Sequence, residues 1–237
     1  MATEILTKGR DPKLELVHRF FSGTGGSYDS MVNYATFGID SLWKRRMVNL
    51  IPPHSTRVLD LACGTGISTQ AIATRFPHST VVGVELRDEY LDIARHKAQA
   101  MGLRNMEFVL SRAEDYRSGE PFDCVSSSYL PKYAELDVLI PALKEMLKPN
   151  GLLIMHDFTF PPKAYLVWIF RLYFKILQKV GSPLFPAWRE IFYGLPRLIE
   201  QTRWVPELRA ELEQHGFRDI RCEYLTLYGS AIMTARK

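Results

Sequence analysis

The sequence predicts an α/β fold: a mostly parallel sheet with helices on both faces and an antiparallel hairpin at the C-terminus. From residue 57 to residue 158, short apolar runs alternate with helix-length amphipathic segments. Parallel strands need long crossover connections, so this alternation is typical of a parallel sheet. The tail carries two strand-like runs around Tyr228 and Gly229, which predicts a closing hairpin. A chain of 237 residues is long enough for one such domain with some elaboration.

The predicted strands are short apolar runs, and helices of ordinary length separate most of them. In order, the strands are RVLDLA, TVVGVEL, MEFVLS, FDCVSSS and LLIMHDF. The intervening helices are GISTQAIATRF, DEYLDIARHKAQAMG and ELDVLIPALKEMLKP, and a loop joins the third and fourth strands. Ahead of the sheet, residues 16–31 predict a helix interrupted at 23–26, and residues 39–50 predict a second helix that Pro52 and Pro53 end.

Composition and charge are those of an ordinary globular protein. The net charge of +4 is too small to indicate nucleic acid, and no nucleic-acid-binding motif accompanies it. Cys63, Cys124 and Cys222 are odd in number and widely spaced, which fits a reducing compartment and gives no metal-ligand spacing. The polar N-terminus lacks the apolar core of a signal peptide. We therefore expect a cytoplasmic protein that holds no metal and binds no nucleic acid.

The stretch RVLDLACGTGIST places two glycines, Gly64 and Gly66, directly after the first strand. Glycine lets the backbone approach a ligand, and the N-terminus of the next helix attracts anionic groups. A nicotinamide fingerprint needs a third glycine, but Thr69 stands there, and no P-loop lysine follows. Asp60 before the turn and Glu85 at the end of the second strand favour a nucleoside cofactor, because a carboxylate can accept both ribose hydroxyl hydrogen bonds. Each residue taken singly has an equally good structural interpretation: Asp60 as a helix cap, and Glu85 as a solvated strand end.

In these motifs the sequence resembles the class I S-adenosylmethionine-dependent methyltransferases, which have a Rossmann-like sheet. LDLACGTG, the acid at Glu85, FDCVSSS and LKEMLKPNGLLIM follow the order of that superfamily. Within it, the sequence is most similar to the ubiquinone/menaquinone biosynthesis C-methyltransferases. The segments that carry this similarity are YDSM at residues 28–31, FGIDSLWKR at 37–45 and LEQHGF at 212–217.

The resemblance implies S-adenosylmethionine as cofactor, S-adenosylhomocysteine as product and a definite set of contacts. Gly64, Thr65 and Gly66 would cradle the methionine part, with Ala62 and Thr69 near it, and Asp60 would order the loop. Glu85 would hold the ribose, with Leu86 beside it. Arg112, Ala113 and Glu114 would flank the adenine, although a surface loop is nearly as good an interpretation of Ala113 and Glu114. Ser128 would line the pocket, and Tyr28 would close over the cofactor.

One departure from the family concerns the acceptor. The quinone enzymes typically carry GLRN after the fourth strand, and this chain has YLPK followed by Tyr133. Lysine and arginine differ in geometry and in how readily they lose charge, which leaves open an acceptor other than a benzoquinol or naphthoquinol. Carbon methylation needs a base or a cation that stabilises a phenolate. The candidates are Lys132 and Tyr133 after the fourth strand and His156 and Asp157 after the fifth; strand alternation keeps the last two from facing one pocket together.

Residues 163–181, KAYLVWIFRLYFKILQKVG, form the most unusual segment. Arg171, Lys175 and Lys179 recur every four residues and make a basic stripe, with apolar and aromatic side chains elsewhere. Such a helix can lie on an anionic membrane surface, cover a hydrophobic substrate or simply pack on the domain. The sequence leaves these three alternatives open, and a homodimer as well.

Four segments are therefore predicted: an N-terminal helical lid at 1–50, a cofactor-binding core at 51–160, a substrate-covering insertion at 161–205, and a helix and hairpin at 206–237 that complete the core. The leading hypothesis is methylation of a small hydrophobic aromatic acceptor, quinol-like, at carbon. The alternatives are O- or N-methylation of another natural product, for which His156 alone would suffice as base, and a cofactor-binding protein without turnover.

Overall fold

A computed structural model describes residues 12–237, and its centre is a seven-stranded sheet in the order β3-β2-β1-β4-β5-β7-β6. Neighbouring strands from β3 to β5 run parallel, and β7 lies antiparallel to both β5 and β6. The prediction of a mostly parallel sheet with a C-terminal antiparallel hairpin is confirmed. The strands are β1 (Arg57–Leu61), β2 (Thr80–Glu85), β3 (Met106–Leu110), β4 (Phe122–Ser128), β5 (Leu147–Phe158), β6 (Arg218–Leu225) and β7 (Ser230–Arg236).

Ten α-helices lie within the described residues, and they flank both faces of the sheet. Short 3₁₀ turns precede α2 and α9, and a π-helical turn at Leu177–Gly181 continues α7. The helices are α1 (Pro12–Phe21), α2 (Tyr28–Ala35), α3 (Ile39–Leu50), α4 (Ile67–Arg75), α5 (Asp88–Ala100), α6 (Leu136–Met146), α7 (Ala164–Ile176), α8 (Ser182–Leu184), α9 (Arg189–Gln201) and α10 (Trp204–Gln214).

Burial explains why the central strands read as continuous apolar runs. Strands β1, β2 and β4 are covered on both faces and are buried along almost their whole length, as parallel sheets require. One core packs α6 and α10 against the sheet through residues such as Leu139 and Leu208. A second core on the sheet packs α3 and α4 through residues such as Met47 and Ile72.

A third cluster of buried side chains lies away from the sheet. It joins the predicted N-terminal lid to the predicted substrate-covering insertion. Here α1 and α2 pack against the α9 region, and the indole of Trp188 donates a hydrogen bond to Ser27 Oγ at 2.9 Å. We call it the lid cluster; its fully buried members are Phe20, Met31, Trp188, Ile191 and Phe192.

The structure divides the predicted N-terminal lid. Helices α1 and α2 join the lid cluster, whereas α3 packs on the sheet through Met47 and Val48. Residues 1–11 of the predicted lid lie outside the described residues. The predicted insertion folds as helices and turns, as its lack of a strand pattern indicates. The boundaries of the four segments stay predictions.

Candidate active site

The carboxyl ends of β1, β2 and β4 meet at one edge of the sheet, and the glycine turn closes over them. Gly64 takes a φ of +57°, which glycine adopts without strain, and its N–H donates to Glu85 Oε2 at 3.0 Å. The other oxygen of Glu85 accepts the N–H of Arg87 at 3.0 Å. Two backbone donors thus hold this buried carboxylate in place, although burial raises its pKa.

A cleft opens at this edge, and we call it the strand-end cleft. Most of the residues predicted for the cofactor line it, together with Tyr133 from the catalytic candidates. Predicted residues in its wall are Tyr28, Ala62, Gly64, Glu85, Leu86, Arg112, Ala113, Glu114 and Ser128. Further wall residues that the sequence did not indicate include Phe21, Tyr90, Ser111, Tyr129 and Leu130.

Asp60 and Thr69 lie behind the strand-end cleft. Thr69 Oγ1 donates to Asp60 at 2.7 Å, and Ser126 Oγ donates to the other carboxylate oxygen at 3.0 Å. Burial raises the pKa of the Asp60 carboxyl to about 6, against the lowering effect of these two hydrogen bonds. These hydrogen bonds link Asp60 on β1 to α4 and β4. That Asp60 orders the loop stays a prediction.

Thr65 and Gly66 do not line the strand-end cleft and contact other parts of the protein, so their contact with the cofactor stays a prediction. Gly66 has a φ of +83°, and a Cβ there would lie 3.0 Å from Ala94 on α5, so this glycine allows close helix packing. Thr65 Oγ1 donates to Asp29 on α2 at 2.5 Å, and Lys97 bridges the same two residues. These contacts tie the lid helix α2 to the glycine turn.

A second cavity of about 310 Å³ adjoins the cleft, and we call it the apolar cavity. Helices α2, α7 and α9 form its walls with residues such as Met31, Phe170 and Ile191. Of the described side chains that line it, Lys132 is the only charged one. Four residues line both spaces and so mark where they meet: Phe21, Tyr28, Tyr129 and Tyr133.

A cleft with charged side chains in its wall that shares one side with an apolar cavity suits a two-substrate enzyme. Comparisons with known proteins identify the family. The model of the ubiE/COQ5 methyltransferase family matches residues 7–237. The chain belongs to this family. It is therefore a methyltransferase, and the prediction of an enzyme from the quinone-related branch is confirmed. The family depends on S-adenosylmethionine, so the predicted cofactor is confirmed at that level.

Two curated relatives are similar over most of the methyltransferase chain. The demethylmenaquinone methyltransferase of Thermus thermophilus is 32% identical over 90% of this chain and 97% of its own length. The demethylmenaquinone methyltransferase of Staphylococcus aureus strain JH9 is 28% identical over 90% of this chain and 89% of its own.

Solved structures share the fold at low sequence identity. The plantazolicin methyltransferase in complex with SAH superposes with a TM-score of 0.65, at 12% identity over 95% of each chain. An O-methyltransferase family protein from Burkholderia thailandensis gives a TM-score of 0.64 at 18% identity, over 99% of this chain and 66% of the other. These matches confirm the Rossmann-like class I methyltransferase sheet.

In the methyltransferase, Lys132 and Asp157 form a fully buried ion pair beside the shared wall. Lys132 Nζ lies 2.6 Å from Asp157 Oδ1, and the backbone N–H of Lys132 donates to Oδ2 at 3.0 Å. Burial lowers the pKa of Lys132 and raises that of Asp157, while the attraction between the two opposes both shifts. Asp157 lines neither cavity, and its carboxylate holds Lys132 through these two contacts; a catalytic role for either residue stays a prediction.

The Lys132 ammonium retains a donor for another group. It donates to Asp157 and to the carbonyl oxygen of Tyr129 at 3.0 Å, and an ammonium has three N–H donors. Nζ also lies 4.4 Å from the centre of the Tyr133 ring. Burial raises the pKa of the Tyr133 hydroxyl, so that hydroxyl is neutral at the junction of the two spaces.

His156 lies behind the shared wall and lines neither space. Its ring centre lies 5.1 Å from that of Tyr129 and 5.6 Å from that of Trp43, and Nδ1 is 2.9 Å from Ser128 Oγ. Its Nε2 has no hydrogen-bond partner among the described residues, and burial lowers its pKa well below the usual value. Because His156 lines neither space, the structure does not favour the expected direct role as a base, and that role stays a prediction.

Tyr129 and Asp40 form a second polar group at the site, and neither was among the residues predicted from the sequence. Tyr129 Oη donates to Asp40 Oδ1 at 2.5 Å, and Asp40 also pairs with buried Lys44. Tyr129 has a φ of +69°, an unusual value for an aromatic residue that is often found at functional sites. Its place one residue beyond β4 was the available signal; nothing marks Asp40, which arrives from α3.

Within residues 12–237, no group of three or more His, Cys, Asp or Glu side chains could hold a metal ion. The same part of the chain contains no helix long and apolar enough to cross a membrane.

Proposed function

We propose that this methyltransferase transfers a methyl group from S-adenosylmethionine in the strand-end cleft to a ring carbon of a quinol with an apolar tail. The supporting observation is that the strand-end cleft and the apolar cavity share Tyr28, Tyr129 and Tyr133. The cleft suits a nucleoside, and the cavity is apolar with a single cationic side chain, Lys132, among the described residues that line it. The names of the two curated relatives also favour a naphthoquinol-type acceptor.

The strand-end cleft has the chemistry that a nucleoside needs. Each Glu85 oxygen accepts one backbone N–H and keeps lone pairs free, because a carboxylate has about four acceptor sites. Those sites fit the two ribose hydroxyls. Leu86, Ala113 and Leu130 give the apolar surface that a purine ring needs. A Cβ atom added to Gly64 would have only Tyr90 nearby, at 3.8 Å, so the turn leaves room on its cleft side.

S-adenosylmethionine supplies, when bound, a sulfonium methyl whose S–C bond breaks as the new C–C bond forms, leaving a neutral thioether. The ring carbon that attacks the methyl then loses its hydrogen as a proton, while the neighbouring oxygen takes up a proton and becomes a hydroxyl again. It attacks only after a neighbouring hydroxyl has lost its own proton. In our proposal the free N–H of Lys132 stabilises the resulting phenolate, because a cation in a dry site is more effective than in water.

We propose that the hydroxyl proton leaves through Tyr129. Its hydroxyl can accept that proton while it donates its own to Asp40, which lies 2.5 Å away. Burial and the nearby Asp40 carboxylate raise the pKa of Tyr129 well above the usual value, so the phenol acts as a neutral relay. Lys44 beside Asp40 offsets the buried carboxylate while it is charged.

The test uses S-adenosylmethionine carrying a deuterated methyl and a reduced, demethylated naphthoquinol with an isoprenoid tail. A C-methylated product reoxidises in air to a quinone that retains the label, whereas an O-methyl ether does not. We expect the labelled quinone. A labelled ether would refute carbon methylation, and no product from a protein that binds the cofactor would refute this acceptor class.

Cofactor binding is measured separately by calorimetric titration. Glu85→Gln should weaken S-adenosylmethionine binding by about 10- to 100-fold, since it removes charge-assisted hydrogen bonds worth about 1.5–3 kcal/mol. Glu107→Gln is the matched control, because Glu107 is an exposed carboxylate on the neighbouring strand β3. Equal affinities for the two variants would refute the ribose role of Glu85.

A further inference from the structure

Helix α7 is apolar on two sides. Leu166, Phe170 and Phe174 face the apolar cavity. On the other side, four large side chains are exposed, and Trp168 is 65% exposed. They follow the spacing of one helix face, and we call this surface the α7 stripe: Tyr165, Trp168, Leu172 and Ile176. Val180 and Leu184, both exposed, continue it beyond the helix. A contiguous apolar surface of this kind marks an interaction site.

The segment that carries the α7 stripe has charged side chains of one sign only. Residues 158–189 contain no Asp or Glu, but they contain three lysines and two arginines. Arg171 pairs with Glu200 at 2.9 Å. Lys163, Lys175 and Lys179 are exposed and form no ion pair with any described residue. The stripe therefore lies in a field that attracts anions.

The mouth of the apolar cavity lies beside the α7 stripe. Phe37, Ile169 and Leu227 line the cavity, yet each is about half exposed or more, so they form its rim. Ile169 follows Trp168 directly in the chain. Anything that covers the stripe therefore lies against the entrance of the cavity.

We propose that the α7 stripe docks on the surface of an anionic lipid bilayer. Apolar side chains beside unpaired lysines match the interface of such a membrane, where helices lie flat with the apolar side a few ångströms deep. Trp168 suits that depth, because an indole prefers the boundary between headgroups and acyl chains. A lipophilic molecule could then pass from the bilayer into the cavity. The docking itself does not depend on the proposed acceptor.

Tryptophan fluorescence gives a site-specific test. The chain has four tryptophans, and Trp43, Trp188 and Trp204 are buried, so Trp168 alone is exposed. On addition of vesicles of equimolar phosphatidylcholine and phosphatidylglycerol, the emission should shift to the blue, and brominated lipids should quench it. Trp168→Phe should still sediment with the vesicles and should lose the shift.

Two pairs of variants separate the apolar and electrostatic parts. Trp168→Ser with Leu172→Ser should abolish sedimentation with vesicles. Met101→Ser with Leu110→Ser is its matched control, since both residues are exposed, just after α5 and at the end of β3, outside the lid.

Lys175→Ala with Lys179→Ala should weaken binding by about 25-fold, since each basic residue near an anionic surface contributes about 1 kcal/mol. Arg45→Ala with Arg104→Ala removes the same charge from other exposed positions and should change little. Binding should also weaken at 1 M salt, where the screening length falls to about 3 Å.

Three results would overturn the proposal. The first is that the protein does not bind the anionic vesicles. The second is that the stripe variants and the control variants change binding equally. The third is that the protein forms a dimer which Trp168→Ser with Leu172→Ser dissociates, because a second copy would then be what covers the stripe. Vesicle binding is measured without acceptor or cofactor. A failure of the methylation assay therefore leaves it standing, and its own failure leaves methylation standing.

Discussion

Replacing Lys132 with methionine removes the cation proposed to stabilise the phenolate, and it also leaves Asp157 buried without its partner. The two side chains are 2% and 0% exposed. Breaking a buried pair by removing one member costs about 3–5 kcal/mol of folding stability. Loss of one preorganised donor to a developing oxyanion lowers kcat by about 10²- to 10³-fold. The single variant is therefore expected to be both less stable and less active.

Comparison with a double variant separates these two effects. Lys132→Met with Asp157→Asn removes the unpaired charge and should recover about 2 kcal/mol of the lost stability, measured by urea unfolding. Its kcat should stay as low as that of Lys132→Met. Lys148→Met is the matched control, because Lys148 pairs with Asp123 at 2.8 Å in a solvent-accessible position. That variant should cost less than about 1 kcal/mol and leave kcat unchanged.

The assay is single-turnover methyl transfer at temperatures where every variant is folded. If Lys132→Met keeps the kcat of the parent while folded, the phenolate role of Lys132 is wrong. If the double variant regains kcat along with stability, the loss in the single variant was structural.

Three further predictions concern Asp60, Asp29 and His156. Burial raises the pKa of Asp60 from 3.8 to about 6. At a pH between these two values, Asp60 is protonated in the folded protein and ionised in the unfolded chain. Stability should fall by up to about 3 kcal/mol as pH rises through that window, and Asp60→Asn should lack this part of the fall in urea titrations at pH 4 and pH 7. Asp29→Asn breaks the link from α2 to Thr65 and Lys97. We expect cofactor affinity to drop about 2- to 5-fold and amide hydrogen exchange in α2 to become faster. Unchanged exchange would show that this link does not hold α2 in place. His156→Gln should keep kcat within about fivefold, less than about 1 kcal/mol, and a loss of 100-fold or more would restore His156 as a base.

The fold could be predicted from the sequence because each central strand has its own local signal. Valine-rich runs such as residues 80–85 and glycine or proline signals at their ends suffice to predict a parallel sheet. The placement of α3 could not be predicted this way. Its pattern shows that it has an apolar face, but Met47 and Val48 pack on the sheet while the preceding helices pack on residues far along the chain.

Residues of the candidate site that follow strands could be predicted from the sequence pattern, whereas a residue on a helix was found only where a family resemblance marked it, as at Tyr28. Glu85, Ala113 and Ser128 each lie in or just beyond a strand, so the sheet brings them to one edge. His156 also satisfies that rule, yet it lines neither space and its ring packs beside Tyr129. Asp40 reaches the site from α3, through a tertiary contact for which no local pattern exists.

The lid cluster has a consequence for biosynthesis. Phe20 and Met31 are made early, but their partners Trp188, Ile191 and Phe192 follow about 160 residues later in the chain. At a translation rate of about 5–20 residues per second, the first helices wait roughly ten seconds or more for these partners. Until then their apolar faces are open to chaperones on the ribosome. The cleft wall they contribute is complete only when nearly the whole protein has been synthesised.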